Sequence, residues 1–333
     1  MKKILLIMML FALAVGTARG QKLTGAGATF PYPIYAKWFR EYDAAHAGVS
    51  IRYRAIGSGA GIRQVAAGVV DFGATDAPMT DNQLAASRTR LTHIPALMGA
   101  VVPIFHVQGV SDLHLSGEVL ADIYLGRITR WNDPRIARDN PDAHLPDQKI
   151  IVVYRSEGSG TSFIFTDYLS KVSRAWADGP GKSAAPNWPV GVGAVRNEGV
   201  ARVVRATDGS LGYVELIYAL ENHVEFSEVK NSSGNWIKAS IEGIAEAAES
   251  AKELPRDFRV SITNAPGTNA YPIASFSWLL VPLRSSSPAK GRVLKELLTW
   301  IITAGQSEAE TLSYAPLPKP IAAKVLETIG TLR

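Results

Sequence analysis

The chain has 333 residues, of which 47% are hydrophobic and 20% are charged, and its formal net charge is +5. It contains no cysteine, which excludes disulfides, thiol catalysis, thiolate metal sites and lipid attachment at a processed cysteine. No run of lysine and arginine is interleaved with aromatic residues, so nucleic acid is not an expected partner.

The first element in the chain is a predicted leader. Lys2 and Lys3 precede an apolar run, residues 4–15, and small residues follow up to Gly20. This order is typical of a secretory signal peptide spanning residues 1–20, with cleavage after Gly20. An apolar run of about 12 residues is too short to span a bilayer, which needs about 20. Loss of the leader would remove three positive charges and lower the formal net charge from +5 to +2.

Strand-like runs alternate with helix-like runs through the 313 residues that follow the leader. The main strand-like runs are residues 49–57, 100–107, 149–154 and 275–283. The main helix-like runs are residues 60–69, 80–87, 163–172 and 291–305, the second of which begins with a predicted capping box, Thr80 and Gln83. Residues 187–193 and 228–240 are expected to form surface loops or a hairpin. The alternation predicts α/β domains with largely parallel sheets, and the length predicts two of them.

Three loops rich in glycine, serine and threonine precede predicted helices. They are "TGAGATF" (residues 24–30), "GSGAG" (residues 57–61) and "RSEGSGTS" (residues 155–162). A helix start presents unpaired backbone N–H groups and the positive end of the helix dipole, and such starts bind phosphate, sulfate or carboxylate. A single serine or threonine before a helix is usually only an N-cap, but three starts can converge on one anion. Arg155 adds a full positive charge, which Glu157 could hold in place.

The known enzyme motifs are incomplete in this chain. "DGPGKS" ends like a P-loop, but Trp176 stands where the first glycine is required. "GAGATF" carries Phe30 where the dinucleotide fingerprint needs glycine or alanine. Ser58 and Ser159 do not lie in G-x-S-x-G, and the six histidines show no metal-ligand spacing. We therefore expect a binding protein without catalytic residues, metal or cofactor.

Five blocks of the sequence together resemble a known family. They are "LTGAGATFPYPIYAKW", "GSGAGIRQVAAGVVDFGATDAPMT", "LADIYLGRITRWNDPRIARDNP", "EGSGTSFIFTDYLSKV" and "AYPIAS". In this order they resemble the periplasmic phosphate-binding protein of the bacterial ABC-type phosphate importer. The resemblance covers nearly all of the chain after the leader. It implies an exported, monomeric protein of the periplasm that captures inorganic phosphate and delivers it to the transmembrane permease subunits of an importer.

The same resemblance implies a fold and a set of ligand-binding residues. The fold would be the two-domain, Venus-flytrap (type II) periplasmic-binding-protein fold, with two crossover strands and the ligand cleft between the domains. Domain 1 would comprise residues 21–104 plus 273–333, and domain 2 residues 105–272. The phosphate ligands would be Thr29, Phe30 (through its backbone N–H), Ser58, Asp76, Arg155, Ser159, Gly160 and Thr161.

Asp76 is the residue of this set that an anion site would not be expected to contain. Taken alone, an aspartate after a strand usually forms a turn. In the implied site, an ionised Asp76 accepts hydrogen bonds only, so it favours a ligand that carries a proton. Phosphate carries one near neutral pH and fully ionised sulfate does not. Glu157 departs from the family, which usually has aspartate there, and its extra methylene leaves the pose of Arg155 open.

Two other functions stay open at this point. The first is a secreted phosphatase-like enzyme that shares the anion site. The second is the same fold binding another oxyanion, such as sulfate or molybdate.

Overall fold

The computed structural model describes residues 20–249 and 254–333. Its strands are β1 (Gln21–Gly27), β2 (Val49–Ala55), β3 (Phe72–Thr75), β4 (Leu91–His106), β5 (His114–Leu115), β6 (Ile151–Arg155), β7 (Val192–Ala194), β8 (Ser210–Glu215), β9 (Glu225–Phe226), β10 (Glu228–Lys230), β11 (Trp236–Ile237) and β12 (Ala274–Pro282).

The helices lie between and after these strands. They are α1 (Tyr32–Ala45), α2 (Ser58–Ala66), α3 (Asp81–Ala85), α4 (Gly117–Tyr124), α5 (Pro134–Asp139), α6 (Gly160–Val172), α7 (Arg174–Asp178), α8 (Arg196–Ala206), α9 (Leu216–Glu221), α10 (Ile241–Glu249), α11 (Pro288–Ile302) and α12 (Lys319–Gly330). Two short 3₁₀ helices, Ala304–Glu308 and Glu310–Leu312, follow α11.

One long strand, β4, joins two halves of the main sheet. The strand order is β2-β1-β3-β12-β4-β8-β6-β7, and β9 also pairs with β4. β4 pairs with β12 through residues 91–100 and with β8 through residues 101–106. The returning chain passes beside this change of partner, because Ile273 O accepts a hydrogen bond from Val101 N at 2.9 Å. Two adjacent crossings therefore connect the halves.

The pairing directions agree with the predicted α/β architecture. β1 is parallel to β2 and β3, and β6 is parallel to β7 and β8. The antiparallel exceptions are mainly those at the crossings, where β12 pairs with β3 and β4 and β4 pairs with β8. Parallel strands are joined by helices that cover the sheet, so their carboxyl ends meet at common edges. The loops that start α1, α2 and α6 follow such strand ends.

The first half of β4 differs from the sequence-based expectation. The predicted run, residues 100–107, is only the second half of a 16-residue strand. Pro95 and Gly99 break the strand pattern in the first half, since proline cannot donate to a sheet. The structure accommodates Pro95 at a β-bulge, where the register with β12 shifts between Ser277 and Trp278.

Helix α1 forms because its large side chains recur on one face. Ile34, Tyr35, Trp38, Phe39 and Tyr42 are all buried, and this spacing puts them on the side that faces the sheet. Packing of these aromatic side chains fixes the start of the helix, and with it the preceding loop, against β2.

Several boundaries differ from the expected ones. The predicted helix of residues 291–305 begins earlier, at Pro288. The predicted loop of residues 187–193 ends in β7, whereas residues 228–240 contain the expected hairpin, β10 and β11. The capping box of Thr80 and Gln83 is present.

The predicted signal peptide, residues 1–20, lies outside the described residues except for Gly20. Within residues 20–249 and 254–333, no helix combines the length and the apolar character that crossing a membrane requires.

Candidate anion-binding site

Each of the three glycine-rich loops leads into a helix, as predicted. Thr29 and Phe30 precede α1, Ser58 is the first residue of α2, and Gly160 is the first residue of α6. Ser159 caps α6 by accepting a hydrogen bond from Ser162 N at 3.2 Å. These positions leave backbone N–H groups of the first helical turns available to a ligand.

The starts of α2 and α6 face each other across the two halves of the sheet. Gly59 N donates a hydrogen bond to Gly158 O at 3.1 Å. A Cβ on Gly160 would lie 2.5 Å from Ser58 Oγ and closer still to Asp76 Oδ2. Only glycine permits this approach, because no real Cβ contact is that short. The structure therefore brings Ser58, Asp76 and Gly160 into one place.

Arg155 occupies the centre of the site. It is the last residue of β6, and its side chain is almost fully buried. Nη1 donates to Thr161 Oγ1 at 3.2 Å and Nη2 donates to Thr29 Oγ1 at 3.3 Å. Nε and Nη2 also donate to Glu157 Oε1. Within residues 20–249 and 254–333, these four bonds engage four of the five guanidinium N–H groups, so an Nη1 N–H stays available for an anion.

Glu157 holds the guanidinium of Arg155 and also orders a neighbouring loop. Its Oε1 accepts from Arg155 Nε at 3.0 Å and from the backbone N of Arg196 at 3.0 Å. Its Oε2 is buried and has no hydrogen-bond partner among the described residues. Glutamate, with one methylene more than aspartate, can thus form the salt bridge with Arg155. In the part of the chain that the structure describes, Oε1 alone makes the hydrogen bonds of this carboxylate.

Asp76 is the acidic member of the site. It directly follows β3 and is 1% exposed. Its Oδ1 accepts from Ser277 Oγ at 2.7 Å, and its Oδ2 accepts from Ser58 Oγ at 3.3 Å. Burial raises the pKa of Asp76 to about 7, against the lowering effect of the Ser277 and Ser58 hydroxyls and of Arg155. Near neutral pH, the protonated and ionised forms of this carboxyl are therefore both populated.

Two buried tyrosines orient the backbone of the first loop. Tyr218 OH donates to Thr29 O and Tyr314 OH donates to Phe30 O, each at 2.6 Å. Because a trans peptide points its N–H opposite its C=O, the bond to Thr29 O directs the N–H of Phe30 away from Tyr218. The Phe30 side chain itself is fully buried and packs in the core.

Two residues of the site were not predicted from the sequence. Ser277 lies in the apolar strand β12 and donates to Asp76, which is 201 positions away in the chain. The sequence feature that could indicate Ser277 is a serine within a continuous apolar run. Asn197 lies in the first turn of α8 and donates from Nδ2 to Thr29 Oγ1 at 3.1 Å. No sequence feature distinguished Asn197 from an ordinary residue of a helix start.

The arrangement is suited to holding a small, partly protonated oxyanion. Arg155, three hydroxyl-bearing loops and two helix starts provide donors, whereas Asp76 is the carboxylate among the predicted ligand side chains and only accepts when it is ionised. Among the described residues, no group of three or more histidine, cysteine, aspartate and glutamate side chains could hold a metal ion.

Comparisons with known proteins show which family the chain belongs to. The model of the PBP superfamily domain matches residues 14–304. The phosphate-binding protein PstS of Pasteurella multocida (strain Pm70) is 40% identical over 327 residues, which cover 97% of this chain and 94% of that protein. PstS of Xylella fastidiosa (strain Temecula1) is 41% identical over 307 residues, 91% of this chain and 84% of that protein.

A solved structure extends the likeness to three dimensions. The phosphate-bound, high-affinity periplasmic phosphate-binding protein PfluDING matches with a TM-score of 0.75, covering 92% of this chain and 93% of that chain. At 22% identity this match concerns the fold, which is the predicted two-domain α/β fold with two crossover strands. On the family model and the sequence identities together, the chain belongs to the PBP superfamily and, within it, to the family of the PstS proteins.

Proposed function

We propose that this protein binds inorganic phosphate in the cleft between its two halves and delivers it to an ABC-type phosphate importer. The observation that carries the proposal is the placement of Asp76, a buried acceptor, among the donors of Arg155 and of the α2 and α6 starts. Its relatives at about 40% identity are named phosphate-binding proteins, which supports the same ligand. Thr29, Phe30, Ser58, Asp76, Arg155, Ser159, Gly160 and Thr161 are the proposed ligand residues.

The proton on the ligand decides the selectivity in this proposal. Phosphate at neutral pH has at least one P–OH group, which can donate to the carboxylate of Asp76. Fully ionised sulfate has no proton, so its oxygens would face the carboxylate of Asp76 without donating a hydrogen bond to it. Sites built to pair a substrate proton reject analogues that lack it by about 10⁴-fold or more. Arsenate shares the shape and protonation of phosphate and should compete with it.

The transport role extends beyond the binding site. We infer export to the periplasm through the leader, residues 1–20, and transfer of phosphate to permease subunits in the inner membrane. The proposed domains are residues 21–104 plus 273–333 and residues 105–272. The change of β4 partner between Ala100 and Val101 lies four residues before the first of these boundaries.

A phosphate assay on the purified protein tests the ligand directly. The protein is purified without added phosphate, denatured, and assayed for the phosphate released. We expect about one phosphate to be released per chain, because a buried site with charge-assisted hydrogen bonds should hold its ligand through purification. Protein that releases no phosphate, and that shows no binding after dialysis and titration, would rule out the proposal.

The enzyme alternative has one specific observation in its favour. Ser58 Oγ donates to Asp76, whose pKa is raised to about 7 by burial, and a hydroxyl beside a base is a candidate nucleophile. Incubation with a chromogenic phosphomonoester, with and without divalent metals, separates the two functions. Binding without turnover is expected, and sustained turnover that is lost in Ser58→Ala would favour the phosphatase.

A further inference from the structure

Thr29 and Thr161 contact the same two donor groups. Arg155 donates to both threonine hydroxyls, at 3.3 and 3.2 Å. Asn197 Nδ2 lies 3.1 Å from Thr29 Oγ1 and, in a longer contact, 3.5 Å from Thr161 Oγ1. All four side chains are buried. The two threonines come from different halves of the sheet, so Asn197 contacts both sides of the cleft.

The orientation of the Asn197 amide follows from its other contact. Glu215 N donates to Asn197 Oδ1 at 3.2 Å. A backbone N–H can only donate, so the oxygen of the amide must face Glu215 and the two N–H groups must face the threonines.

The backbone before Asn197 is held in an uncommon conformation. Arg196 has φ of +63°, the left-handed region that residues other than glycine rarely adopt. Its N–H donates to Glu157 Oε1 at 3.0 Å, the same oxygen that binds Arg155. Such a conformation persists when the surroundings over-determine it. Arg155, Glu157 and the loop that carries Asn197 therefore form one connected arrangement.

We infer that Asn197 is a positioning residue that makes the hydroxyls of Thr29 and Thr161 hydrogen-bond donors toward the ligand. A hydroxyl has two lone pairs and one proton. Guanidinium and amide N–H groups can only donate, and together they occupy the lone pairs of both hydroxyls. The remaining proton of each threonine then points to the ligand, so the pair selects an acceptor oxygen. This inference rests on the proposed function, because it assumes that the ligand is an oxyanion.

A double-mutant cycle separates this role from a general structural one. Asn197→Leu keeps the approximate shape of the side chain and removes both amide N–H donors, and it removes the acceptor of Glu215 N in both backgrounds alike. We expect it to raise the phosphate Kd by about tenfold in isothermal titration, because both hydroxyls can then rotate away from the ligand. In a Thr29→Val, Thr161→Val background there is no hydroxyl to orient, so Asn197→Leu should change Kd by less than about twofold.

Asn140→Leu is the matched control. Asn140 is also a buried asparagine whose amide bonds to backbone groups, His114 O at 2.8 Å and Ile136 O at 2.9 Å. It should lower the melting temperature and leave the phosphate Kd unchanged in both backgrounds. If Asn197→Leu does not fold, Asn197→Ala takes its place in the same cycle.

The outcomes distinguish this inference from the proposed function. An equal loss of affinity in both backgrounds, or no loss in the original one, would overturn the role of Asn197 while phosphate binding stands. Failure of the unmodified protein to bind phosphate would instead overturn the proposed function.

Discussion

At the scale of single residues, Asp76 and Arg155 make opposite contributions to anion binding. Arg155 attracts the ligand and is paired with Glu157, whereas Asp76 repels negative charge and accepts the proton of the ligand. Their chemistry as isolated residues is readable from the sequence. The contacts of Ser277 with Asp76 and of Asn197 with Thr29 are not, because each joins residues that are far apart in the chain.

The opposite contributions of Arg155 and Asp76 predict which substitution weakens phosphate binding more. Arg155→Ala should raise the phosphate Kd by at least about 100-fold, since it removes charge-assisted bonds and leaves Glu157 half-buried without its partner. Asp76→Asn should raise it by about tenfold or less, because the loss of a charged acceptor is partly offset by the loss of repulsion. Isothermal titration of both variants, with melting temperatures as a check on folding, measures the order. A greater loss in Asp76→Asn would contradict this balance.

The raised pKa of Asp76 predicts a pH dependence for sulfate. Burial raises this pKa to about 7, and only the protonated carboxyl can donate to sulfate. Sulfate affinity should therefore be highest and nearly constant below pH 7, and should fall about tenfold per pH unit above it, as one proton must be bound with the ligand. Asp76→Asn should abolish the slope. An unchanged sulfate Kd from pH 6 to pH 9 in the unmodified protein would contradict the requirement for a protonated Asp76.

At the scale of elements, the starts of helices were more predictable than the extent of strands. The glycines and hydroxyl residues before α1, α2 and α6 are local signals, and each was followed by a helix. The first half of β4 was missed, because Pro95 is tolerated there only through a bulge opposite β12. The bulge is a property of two strands that are far apart in sequence, so no local pattern indicates it.

The contact between α2 and α6 predicts a variant that folds but binds phosphate weakly. Gly160 has no left-handed backbone requirement, so Gly160→Ala should be tolerated by the helix itself. Its methyl group would meet Asp76 and Ser58 when the two halves close, and the phosphate Kd should rise by about 100-fold. Gly158→Ala is the control, since its Cβ would lie 3.6 Å from Gly59 Cα, an ordinary contact. Equal affinities of the two variants would contradict the close approach.

At the scale of the whole molecule, a further segment connects the halves, in addition to the crossing strands and the contacts within the site. In residues 257–263, Arg259 Nη1 donates to Met79 O at 2.9 Å and Nη2 lies 2.7 Å from Asp81 Oδ1. At the other end, Thr263 Oγ1 donates to Asp167 on α6 at 2.6 Å. The two-domain organisation was predicted from length and resemblance. This bridging segment was not, because its contacts join residues about 100 to 180 positions apart.

Loss of the contacts that Arg259 makes in the bridging segment should favour separation of the two halves. Arg259→Ala should increase the radius of gyration of the phosphate-free protein in small-angle X-ray scattering and raise the phosphate Kd by about three- to tenfold. Arg174→Ala, which removes an exposed ion pair with Asp178 within α7, is the control and should change neither quantity. Unchanged scattering and affinity in Arg259→Ala would mean that the segment does not hold the closed arrangement.

The central claim is that the cleft binds an oxyanion that brings its own proton to Asp76. Isothermal titration at pH 8 with phosphate and with sulfate, on protein freed of bound phosphate, tests it most directly. Phosphate should bind about tenfold or more tightly than sulfate, because only phosphate can donate to the ionised carboxylate, whereas sulfate requires Asp76 to be protonated one pH unit above its pKa of about 7. Comparable affinities for the two anions would contradict the account.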